Sequence, residues 1–141
     1  MNLFSTKPFT QYTDLALLLL RLFCIYMLVN HGLGKLGKLT SGEEVKFMNF
    51  LWLGGTVSLA LVVFSELLCS ALVALGAFTR LALIPLIITM LVAVFYKHII
   101  TDGDSIWKPE LGMAYLVVYI ALYVFGPGRY SIDALIEGKK R

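Results

Sequence analysis

Charge is scarce in this chain. Asp, Glu, Lys and Arg supply 15% of its 141 residues, against about 25% in a soluble domain, which argues against an ordinary soluble globule. The net charge is only +3, and the densest basic piece is Lys139-Lys140-Arg141. Nucleic acid is therefore not an expected partner, and this tail suits acidic lipid headgroups. Cysteine is limited to Cys24 and Cys69, far apart and both inside apolar runs. With no CxxC and no Cys/His spacing, neither a disulfide framework nor a metal site is expected. Strict alternation of apolar and polar residues is missing too, which excludes the strands of a membrane barrel and leaves helices as the spanning element. The first apolar run lacks a basic n-region and an A-x-A site, and contains an arginine, so it reads as a retained span rather than a signal peptide.

What the chain has instead is apolar length: 59% hydrophobic residues and a mean hydropathy of +0.83. A helix crossing the hydrocarbon core needs about 20 apolar residues. Runs at residues 15–33, 56–76, 81–100 and 109–126 approach that length. They predict an all-α membrane protein, a four-transmembrane-helix antiparallel bundle forming one domain over residues 1–141. Residues 77–80 make a tight turn, so the second and third spans form a hairpin. Pro85 is assigned to the first turn or so of the third span, where a missing N–H costs little.

The longest connection, residues 34–55, carries Ser41-Gly42-Glu43-Glu44, a capping-box pattern. The stretch after it is too short to span. It is expected to form a short interfacial helix, with a plain surface loop as the alternative. Gly126-Pro127-Gly128 stops the last span. Ser131 then caps a C-terminal amphipathic helix whose Ile132, Leu135 and Ile136 share a face for the membrane surface. Six Lys and Arg lie on the side of the termini and five on the other, which places both termini in the cytoplasm by the positive-inside rule.

Charges inside the membrane are costly and usually face partners. With the termini-side ends of the first two spans aligned, Arg21 and Glu66 differ in depth by about 6 Å, so an Arg21–Glu66 pair is expected. Cys24 and Cys69 each follow their charged neighbour by three residues and share its helix face. His31 continues the Arg21–Cys24 face. Each feature also has a plainer reading: a structural clamp for Arg21–Glu66, small buried hydrophobes for the cysteines, and local hydrogen bonding for His31. Tyr115, Tyr119 and Tyr123 recur at four-residue spacing, as packing or as a ligand platform. The functional reading of Arg21, His31 and Glu66 is a midplane pocket for a flat amphipathic molecule such as a quinone, with Cys24 and Cys69 as a candidate redox pair.

The stretches LLLRLFCIYMLVNHGLGKL, SELLCSALVALGAFTRLAL and GPGRYSIDALI resemble the DoxX family. They reproduce an arginine followed by His-Gly and a lysine, a glutamate followed by a Gly-x-x-x-Arg turn, and the closing block. The likeness covers all four spans in order. It implies a small multi-pass protein of the bacterial inner membrane, with Lys35, Arg80, Glu110, Arg129 and Asp133 joining Arg21, His31 and Glu66 as motif positions. Some members of the family look like membrane subunits of quinone-linked oxidoreductases, and others are associated with thiol or oxidative-stress enzymes. The expected role is a membrane subunit of a redox system, with no covalently bound cofactor and with quinone as the candidate ligand. The alternative is a non-catalytic accessory or assembly subunit. Expected partners are the lipid bilayer and either a membrane protein complex or further copies of the chain.

Overall fold

The computed structural model describes residues 10–42, 47–102 and 109–138. Among them the fold is helical, with no strand. Helix α1 covers residues 10–40, α2 runs Gly55–Leu75, α3 covers residues 79–101, α4 runs Glu110–Phe125 and α5 runs Ile132–Gly138. Three of these are long and apolar enough to cross a membrane: α1, α2 and α3. Helix α4 is equally apolar but has 16 residues, or about 24 Å at 1.5 Å per residue.

The four long helices close into a ring. Helix α1 packs on the C-terminal part of α2, α2 on α3, α3 most extensively on α4, and α4 back on α1. Leu17, Val73, Leu83, Leu86, Tyr119 and Leu122 meet in the centre. The outward faces expose large apolar side chains such as Leu19, Leu61, Leu81 and Val117, as a bundle solvated by lipid requires.

Three boundaries differ from the sequence expectation. The first helix does not stop at Leu33 but continues through Thr40, because Gly34 and Gly37 lower helix propensity without breaking a helix. Of the expected capping box, Glu43 and Glu44 lie outside the described residues. Among the described residues beyond it, from Phe47 to Gly54, the chain makes a 3-10 turn at Phe50–Trp52 in place of the expected interfacial helix. Pro85 is the seventh residue of α3, which begins at Thr79. It therefore falls in the second turn and removes one rung of the hydrogen-bond ladder.

Among the described residues, three stretches are wound as π-helix: Leu28–Gly32, Phe64–Cys69 and Val92–Thr101. Such segments are rare and gather at functional sites.

The hairpin between α2 and α3 shows how the ends are tied. Gly76 takes φ +69°, and Gly76 N–H and Ala77 N–H donate to Val73 O and Leu72 O at 3.0 and 2.9 Å. This is a Schellman closure. The next orphan carbonyl of α2, Ala74 O, accepts from Arg21 at 3.1 Å, and Gly76 O accepts from Asp133 N–H at 2.8 Å. At the start of α3, the Asp133 carboxylate accepts from Phe78 N–H, Thr79 N–H and the Thr79 hydroxyl at 2.7, 2.9 and 2.8 Å. Ser131 Oγ accepts from Ala134 N–H at 3.2 Å and so caps α5.

Candidate functional site

The expected Arg21–Glu66 bridge is not formed. Arg21 is fully buried and donates to two carbonyls, Ala74 O and Tyr130 O. Unpaired carbonyls at a helix C-terminus carry partial negative charge, and here they receive the guanidinium in place of a carboxylate. The depth argument failed because the ends of apolar runs are poor register marks. The actual register is set where α1 and α2 touch, at Gly32. A Cβ at Gly32 would lie 3.3 Å from the backbone of Glu66 and 2.7 Å from the Leu67 side chain. Arg21, eleven positions earlier, is thereby level with the last turn of α2.

Glu66 pairs with Lys35, whose Nζ lies 2.5 Å from Oε1. Lys35 stands at the next turn of the face that carries Arg21, Cys24 and His31, so the signal was available. Ending the first helix at Leu33 hid it. Glu66 is buried inside the π-helical stretch of α2, while Lys35 is partly exposed.

This ion pair forms part of the wall of a cavity of about 930 Å³ between α2, α3 and residues 47–50. Cofactor and ligand pockets typically span about 300–1,000 Å³ and are apolar with a few placed polar groups. Val62, Phe64, Pro85, Ile88 and Val92 supply the apolar lining. Thr89 donates to Ser65 Oγ at 3.0 Å across the α2–α3 seam. Phe64 and Ile88 are exposed on the outer face of the bundle, so the cavity is entered from the side, between two helices. Lys97, also on its lining, is held by Asp102 at 2.6 Å. Glu66 Oε2 is buried without a hydrogen-bond partner, a state that costs about 1–3 kcal/mol for a polar group.

The other sequence candidates are distributed differently. His31 is half-buried beside Gly32 and is not on the cavity lining. Cys24 and Cys69 are free thiols, both buried in the core cluster that holds Tyr115 and Tyr119. Arg80 donates to Tyr123 O at 3.2 Å, near the C-terminus of α4. Asp133 holds the α2–α3 turn as described. Arg129 contributes its backbone N–H to Asp14 Oδ1 at 2.8 Å, and Glu110 is exposed in the first turn of α4, where negative charge suits the helix dipole. Among the described residues, no His, Cys, Asp and Glu cluster has the makings of a metal site.

Long apolar helices, lipid-compatible outer faces and intramembrane charges whose bonds lie inside the bundle define a helical integral membrane protein. The chain belongs to the DoxX family, whose model matches residues 16–99. No curated protein and no solved structure matches it.

Proposed function

We propose that this DoxX-family protein is a membrane subunit of a redox system, and that its α2–α3 cavity receives a quinone-class molecule. The observation that carries this reading is the cavity itself, a largely apolar, side-opening space of ligand size with the Lys35–Glu66 ion pair in its wall. A lipid-soluble molecule enters such a space from the bilayer without crossing water. Glu66 and Lys35 orient the head, and the apolar lining takes the tail. Arg21 holds the helix ends that keep α1 and α2 in register, while His31 and the Cys24–Cys69 pair remain the candidates for proton and thiol chemistry alongside the cavity. In this reading α4 is the fourth span, the protein lies in a bacterial inner membrane with both termini cytoplasmic, and the apolar face of α5 rests on that surface.

The test is mild detergent purification from the native host, with quinone extraction and identification of co-purifying proteins. Replacing Ala93 on the cavity lining with Trp fills the space. Quinone retained by the unaltered protein and lost from Ala93→Trp is the expected result. Equal retention by both sinks the cavity reading.

A second reading is an accessory or assembly subunit docked on a larger membrane complex. It is favoured by the way Arg21, Arg80 and Asp133 all bond to the chain's own backbone. Its signature is a stoichiometric partner whose assembly fails without this chain and survives Ala93→Trp.

A further inference from the structure

The two oxygens of Glu66 stand in different situations. Oε1 meets Lys35 Nζ at 2.5 Å. Oε2 is buried, has no hydrogen-bond partner, and belongs to a side chain that is 2% exposed and lines the α2–α3 cavity. Buried polar atoms in folded proteins are nearly always hydrogen-bonded, and each exception calls for an explanation. Thr89 Oγ1 donates to Ser65 Oγ at 3.0 Å, and the buried hydroxyls of Ser70 and Tyr119, themselves unpartnered, make no hydrogen bond to Oε2.

A carboxylate oxygen can only accept, so the missing partner must donate. We infer that the cavity selects, among amphipathic ring molecules, those whose head carries a hydroxyl donor, a phenol or a hydroquinone, with Glu66 Oε2 as the acceptor. The inference rests on the cavity reading proposed above and adds the chemical state of the occupant. A quinone or an aryl ether presents only lone pairs to Oε2 and leaves it unpaired. Lys35 uses one ammonium donor on Glu66 and has others for a second oxygen on the same head. The reduced form of a quinone is thereby held more tightly than the oxidised form. A ten-fold preference for it raises the midpoint potential of the bound two-electron couple by about 30 mV.

The test uses the full chain in lipid nanodiscs and two probes of nearly equal shape, 4-hexylphenol and its methyl ether. Binding is measured by titration calorimetry after subtraction of partition into protein-free nanodiscs. The expected result is phenol binding at least about ten-fold tighter than the ether, because hydrogen bonds to charged groups are the stronger kind. In Glu66→Gln that preference falls to about three-fold or less. Equal affinities in the unaltered protein overturn the donor preference and leave the cavity reading standing. Failure of both probes to bind overturns both. The phenol-to-ether comparison needs no variant, so misfolding of Glu66→Gln does not remove the test. Ala93→Trp blocks the cavity away from the ion pair, and phenol binding that survives it overturns the assignment.

Discussion

The Asp133 carboxylate caps helix α3 at Thr79, 54 positions earlier in the chain, accepting from both its N–H and its hydroxyl. With Phe78 N–H also on Oδ1, one side chain satisfies two of the donors that open the helix. Phe78 sits at φ +48°, a conformation disfavoured for a non-glycine residue, and this carboxylate holds it there. The C-terminal segment is therefore a clasp on the α2–α3 turn.

Asp133→Ala is expected to lower stability by about 1–2 kcal/mol, the range for losing a helix cap, with Asp133→Asn losing less. Unfolding in detergent followed by circular dichroism measures it. An unchanged midpoint for Asp133→Ala means the clasp contributes nothing.

Gly76 and Gly34 are expected to respond oppositely to alanine. Gly76 has φ +69°, and a Cβ there would meet Arg21 Nη1 and come within 2.5 Å of Ser131 Cβ. Gly76→Ala should cost more than about 1 kcal/mol. Gly34 is helical and exposed with nothing within 4 Å of an added Cβ, so Gly34→Ala should stabilise by about 0.5–1 kcal/mol. The same unfolding assay reads both, and equal effects at the two sites contradict the geometry.

Double-mutant cycles separate the two charge arrangements. Lys35 and Glu66 should show a coupling above about 0.5 kcal/mol, and Lys35→Met alone should destabilise by about 2 kcal/mol. That is less than the 3–5 kcal/mol typical of breaking a fully buried pair, because Lys35 is partly exposed. Arg21 and Glu66 share no contact, so their cycle should close near zero. A large Arg21–Glu66 coupling would restore the bridge that sequence depth suggested.

Tyr115 is buried with its hydroxyl unpartnered, while its ring stacks on Phe23 at a centroid distance of 4.9 Å. Tyr115→Phe keeps the ring and removes the orphan group, so it should be neutral or stabilising by up to about 1 kcal/mol. Loss of stability would reveal a partner for the hydroxyl.

The sequence by itself determined the solvent and the class. Apolar runs of spanning length with few charges allow a helical membrane protein and little else, and the short link at residues 77–80 marked the hairpin between α2 and α3. It also marked Arg21 and Glu66 as residues that must be satisfied internally. Only the tertiary structure decided by what. Partnership across helices depends on register, and register is set by a close approach such as Gly32 against Glu66, not by where hydrophobicity begins. A shift of a few residues carried Arg21 to the carbonyls of Ala74 and Tyr130 and brought Lys35 to Glu66. The sequence pointed to a pocket around Arg21, His31 and Glu66, and its actual place was hidden for the same reason, since only Glu66 of the three lines it. It is built from α2, α3 and residues 47–50, segments whose individual sequences show apolar faces but not the space left between them when they pack.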